Sequence, residues 1–174
     1  MRRWIYLAVG VPLAAAGLGC AVVSLAVPWA RYHVTGTAVG DRPIADDVPV
    51  AVFQVSGGTW YVLAVFALGG LLAGAALGGS RGRPAVAVVS SIGGLLTAFL
   101  VVLVENRIAA SSGGVLATGL AEVHATAFDG PGLEFGLAAG PLLGFGAALI
   151  AAGRRSAPTA PAPGAATAAA SNQV

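Results

Sequence analysis

Lysine is absent from this chain of 174 residues, and only 9% of its residues carry a formal charge. Charge is too thin to clothe a soluble surface, where about a quarter of residues are charged, so an ordinary water-soluble domain is excluded. The single cysteine, Cys20, stands inside an apolar run. That removes a disulfide framework and a cysteine-rich metal site together. No lysine-bearing phosphate loop occurs, so no nucleotide cradle is written in the sequence. Glycine is plentiful, at 26 residues, but lacks the period of three that a collagen triple helix needs.

What the chain does have is apolar length: 57% of residues are hydrophobic and the mean hydropathy is +0.86. An α-helix needs about 20 residues to cross about 30 Å of hydrocarbon. Four stretches qualify, approximately 4–27, 59–77, 85–104 and 133–152, and Glu134 at the edge of the last is the one charge among them. A charge at mid-bilayer costs at least about 2.5 kcal/mol, so this clearance is a membrane signature. The runs are continuously apolar rather than alternating, which favours helices over an outer-membrane barrel. The expected fold is therefore an all-α membrane protein. A four-helix transmembrane bundle occupies residues 1–155, with outer loops at 28–58 and 105–132. The Ala- and Pro-rich tail 156–174 is expected to be a disordered cytoplasmic segment. The first span is expected to stay uncleaved, because its apolar run exceeds a signal core and Gly17-Leu18-Gly19-Cys20 departs from a lipoprotein site.

Arginine sets the orientation. Arg2, Arg3, Arg81, Arg83, Arg154 and Arg155 fall on one side of the four spans. Arg31, Arg42 and Arg107 share the other side with every acid, namely Asp41, Asp46, Asp47, Glu105, Glu122, Asp129 and Glu134. Both termini and the turn 80–84 are thus expected in the cytoplasm. A net charge of +2 with this distribution is a topology signal, and nucleic acid is not an expected partner. Arginine without lysine and abundant Ala, Gly and Val fit a GC-rich bacterium, which places the protein in a plasma membrane.

Helices in lipid associate through close van der Waals contact, and small residues at every fourth position permit it. Gly70, Gly74 and Gly78 form such a row in the second span, Ser90, Gly94 and Ala98 in the third, and Gly136, Gly140 and Gly144 in the fourth. Each row fits either internal bundle packing or an intermolecular face. Pro141 should bend the fourth helix. Ser90, Ser91 and Thr97 can bond to neighbouring helices or to their own backbone. Trp4, Trp29, Tyr32, Trp60 and Tyr61 sit near span ends, where amphipathic rings favour the headgroup level.

Outside the spans, β-prone segments at 32–39 and 50–56 predict an antiparallel hairpin. Residues 115–128 predict a short helix with Leu116, Leu120 and Val123 on one face, and together these form a small extracytoplasmic cap. Glu105-Asn106-Arg107 reads as the polar end of the third helix, with an ion-pair or gating role as the alternative. His33, His124, Glu122, Asp46, Asp47 and Asp129 are the metal or acid-base candidates, but neither His-x-x-x-His nor Glu-x-x-His occurs. No metal site, cofactor or catalytic set is expected.

Pro28-Trp29 closing the first span, Ser56-Gly57-Gly58-Thr59-Trp60 opening the second, and a short basic turn before the third resemble the actinobacterial tryptophan-associated transmembrane proteins. The likeness covers residues 1–155, implies a four-span fold and carries no activity. Four spans with a β-rich first outer loop also look like the claudin architecture, whose paired loop cysteines this chain lacks. The expected function is that of a non-enzymatic accessory or scaffold subunit, with the lipid bilayer and a membrane-protein partner or a homo-oligomer as its partners. The alternative is a small transporter or channel component that works as an oligomer.

Overall fold

The computed structural model describes residues 2–38, 42–78, 82–111, 115–118 and 121–155. Arg81 and the tail 156–174, on which expectations were placed above, lie outside the described residues. Four long helices dominate: α1 (Arg2–Ala26), α2 (Gly58–Leu77), α3 (Arg83–Ser111) and α4 (Pro131–Arg155). All four are long and apolar enough to cross a membrane, and a helix satisfies its own backbone groups where no water can. Their outward faces carry large apolar side chains such as Leu63, Phe66, Leu95 and Phe99, a surface suited to lipid rather than water.

The helices alternate in direction, and a small antiparallel sheet closes one end. Its strands are β1 (Ala30–Ala38), β2 (Arg42–Val50), β3 (Val115–Thr118) and β4 (Ala121–Asp129), in the order β2-β1-β4-β3. Two expectations are corrected here. The hairpin partner of β1 is 42–50 rather than 50–56, because pairing runs from Ala38 opposite Arg42 to Ala30 opposite Val50. Pro43 and Pro49 obscure this strand in the sequence, yet β2 is an edge strand, where a missing donor is tolerated. The predicted helix at 115–128 is instead β3 and β4. β4 pairs along β1 from Ala30 opposite Asp129 to Gly36 opposite Val123, and that long-range ladder outweighs a local helical pattern in residues as β-branched as Val123 and Thr126.

The third helix also exceeds its expected span. At 29 residues it is about 44 Å long at 1.5 Å per residue, well beyond the hydrocarbon thickness of about 30 Å. Glu105-Asn106-Arg107 therefore does not terminate it. The helix continues because Ile108, 2% exposed, joins the hydrophobic core at the sheet end.

α4 is the central helix: 50% of its most apolar stretch is buried, against 28%, 28% and 22% for α1, α2 and α3. Two seams hold it. Along α3, a methyl group at Gly94 would lie 2.6 Å from the Gly140 carbonyl oxygen, and one at Gly140 would lie 2.7 Å from the Gly94 oxygen and 3.2 Å from the Ala98 nitrogen. Gly144 closes on the Ser90 carbonyl and on Gly94. Along α1, Gly17 abuts the Leu143 nitrogen and Gly146 the Ala14 nitrogen, each at 2.6 Å from an added methyl. Gly136 faces Ser24 and Trp29 on that side. Ser91 and Thr97 bond their own helix, to the carbonyls of Ala87 and Gly93.

Two basic residues tie the opposite end. Arg83 donates to the carbonyls of Arg154, at 2.8 Å, and Gly78, at 3.2 Å, and Arg154 donates to the Ala76 carbonyl. These guanidinium groups satisfy C-terminal carbonyls of α2 and α4 and oppose their dipoles. Arg83→Ala and Arg154→Ala are each expected to lower stability by about 1–2 kcal/mol. Thermal denaturation in detergent checks this, with the exposed Arg31→Ala as the unaffected comparison.

Candidate functional site

Four places in the fold carry groups that function could use. The first is the junction where α1 enters the sheet. Trp29 is fully buried. Its amide donates to the Val50 carbonyl at 2.9 Å and its carbonyl accepts from the Gly130 amide at 2.8 Å, so one residue ties β2 to the approach of α4. Its indole N–H donates to the Ser24 carbonyl at 2.8 Å, while the Ser24 hydroxyl donates to the Gly132 carbonyl at 2.9 Å. The Tyr61 ring stands edge-on to the indole, with centroids 4.7 Å apart. Gly132 has no side chain where the indole Cδ1 lies, and a Cβ there would collide with it. Trp29 and Tyr61 are thus core residues, not headgroup anchors: the indole finds a backbone acceptor inside the fold and has no need of the wet interface. Trp4 and Trp60, at 77% and 67% exposure, remain at the outer surface of the helix ends, and Tyr32 is half-buried against the core.

The second place is the sheet surface. His33 and Asp47 face each other across β1 and β2, with Nδ1 2.7 Å from Oδ1. Their side chains are 44% and 74% exposed, so the pair is a solvated surface contact worth at most about 1 kcal/mol. Arg31, Phe128 and Asp129 border the same shallow depression of about 600 Å³. Asp46, Glu122 and His124 have side chains outside the described residues. Among the described residues, no three His, Cys, Asp or Glu side chains gather as a metal site would require.

The third place is the outer junction of α2 and α3. Gly57, with φ at +95°, adopts the left-handed conformation that turns the chain into α2. Next to it, the Arg107 guanidinium donates to the Ser56 hydroxyl at 3.3 Å. Arg107 borders two depressions at once. One, of about 440 Å³, runs under the sheet past Tyr32, Val50 and Gln54. The other, of about 210 Å³, runs down between α2 and α3 past Trp60, Leu100 and Leu103.

The fourth place is the face of α2 that meets nothing. A methyl group added at Gly70 or Gly74 would find no atom within 4 Å beyond the backbone of its own stretch of helix and its two chain neighbours, and one at Gly78 meets only Gly74. The three small-residue rows therefore differ. Those of α3 and α4 close on each other at Ser90, Gly94, Gly140 and Gly144, whereas that of α2 is open. Exposed Ala67, Gly70 and Ala73 form its floor, and Leu63, Phe66 and Leu77 rise beside it. α1 carries a further row, Gly10, Ala14, Gly17 and Ala21, all buried, which does not keep to every fourth position. Its spacing of four, three and four residues is the heptad form of the same signal. Comparison with models of protein families and with curated proteins finds no match.

Proposed function

We propose that this chain is a non-enzymatic accessory or scaffold subunit of a bacterial plasma membrane, holding a membrane-protein partner or a second copy of itself against the open face of α2. It spans the membrane four times, with both termini cytoplasmic and the sheet on the extracytoplasmic side. The observation that carries the reading is the contrast between glycines already filled and glycines left open. Gly94, Gly140 and Gly144 are closed by internal backbone contact, while Gly70 and Gly74 have no neighbour. In lipid, a floor of small residues between larger side chains allows another helix to approach closely, and that approach supplies most of the association energy. The orientation is supported by the arrangement of charge along the bundle. Arg83 and Arg154 lie at the end opposite the sheet, whereas Asp47, Glu105, Asp129 and Glu134 lie at the sheet end.

Two measurements test this reading. A reporter active only outside the cytoplasm, fused after Arg155, is expected to be silent, and one inserted between Ala38 and Arg42 is expected to be active; the reverse pattern overturns the orientation. Purified protein in liposomes is expected to carry no ion or small-solute flux, and flux above that of empty vesicles would replace the scaffold reading with a transport one.

A further inference from the structure

We propose that the junction of α2 and α3 at the sheet end is a binding site for one phospholipid of net negative charge, whose phosphate sits on Arg107. The proposal rests on the membrane-spanning reading of the four helices. Depth places the site correctly for a headgroup. Arg107 lies 24 residues beyond Arg83 along α3, about 36 Å at 1.5 Å per residue, just past one thickness of hydrocarbon. Trp60, 67% exposed at the third residue of α2, stands at the same level, where indole rings favour the interface.

Two depressions meet at the charge. Arg107 borders both, so a phosphate held there has the groove between α2 and α3 on one side and the cleft under the sheet, which offers Gln54 and Ser56 among valines, on the other. The groove, bordered by Trp60, Leu100 and Leu103, descends into the level of the acyl chains. The cleft, bordered by Gln54, Ser56 and Tyr32, has the room for a glycerol-sized headgroup. The charge is also available. Among the described residues, no carboxylate lies within ion-pair distance of Arg107. Glu105, two positions back on the same helix, does not share its face. A guanidinium binds phosphate through paired N–H donors, a geometry that ammonium cannot reproduce.

The test is native mass spectrometry of the full chain released from mixed micelles holding equal amounts of phosphatidylglycerol and phosphatidylcholine. Wild-type protein is expected to retain one phosphatidylglycerol in preference to phosphatidylcholine. Arg107→Gln is expected to reduce that preference about fivefold, the factor one arginine contributes at an anionic surface. Arg107→Lys should keep part of it, Arg31→Gln should keep all of it, and raised salt should weaken it in the wild type. Equal retention of both lipids by the wild type, or an undiminished preference in Arg107→Gln, overturns the site. Should Arg107→Gln fail to accumulate, the wild-type preference and the Arg107→Lys result decide. Loss of the chain from vesicles on an alkaline carbonate wash would overturn the spanning reading, whereas retention without lipid preference would overturn the lipid site alone.

Discussion

Trp29→Ala should cost about 3–5 kcal/mol, the loss typical of removing a buried tryptophan, and should be the most damaging single truncation in the fold. The indole fills the space where α1, α2, α4 and the sheet converge, with Tyr61 edge-on to it and Gly132 and Gly136 against its rim. Removing it leaves a cavity that the surrounding backbone cannot close, because Trp29's own amide and carbonyl are fixed by Val50 and Gly130. Trp29→Phe should cost less, since the ring packing is partly kept while the bond to the Ser24 carbonyl is lost. Trp60→Ala is the comparison: at 67% exposure it should change stability by less than about 0.5 kcal/mol. Thermal denaturation in detergent ranks the three, and equal effects at Trp29 and Trp60 would return both residues to the role of interface anchors.

Gly140→Leu should unfold the bundle or weaken it by more than about 3 kcal/mol, beyond the usual range for overpacking. Most overpacked cores relax by moving side chains. At Gly140 the nearest atoms include the Gly94 carbonyl oxygen and the Ala98 nitrogen, so relief requires the two helices to part along their length, forfeiting contacts on both faces. Gly94→Leu should behave alike, because it meets Gly140 and Gly144 from the other side. Gly74→Leu should leave the monomer's melting temperature unchanged, since its added side chain enters open space. Similar instability at Gly74 and Gly140 would contradict the division between filled and open glycines.

The four spans were legible because span length is a physical constant of the bilayer and the apolar runs meet it with almost no interruption. Less legible were features decided by contacts between distant residues. The third helix overran its apolar stretch because Ile108 had a core to join, and no local signal distinguishes that isoleucine from a loop residue. Residues 115–128 carried a helical spacing of Leu116, Leu120 and Val123, yet β1 offered β4 a free edge. Leu120 lies outside the described residues. Trp29 reads as an interface anchor because its position at the end of a span is visible in the sequence, while its acceptor, the Ser24 carbonyl, is not. The sequence shows only the charge of Arg83 and Arg154, and their second task of closing helix ends depends on which C-termini the bundle brings beside them. The small-residue rows were visible individually, but which pairs of them close was a property of the assembled bundle.

Assembly size tests most directly whether the open face of α2 binds another helix. The protein is extracted in mild detergent and its mass measured by light scattering coupled to size exclusion, for wild type and for Gly70→Leu combined with Gly74→Leu. The wild type is expected to run as a defined complex, with a stoichiometric partner or a second copy, and the double variant as a single chain with an unchanged melting temperature. A wild type that runs as a lone chain, or a double variant that keeps the full complex, would contradict helix binding at that face.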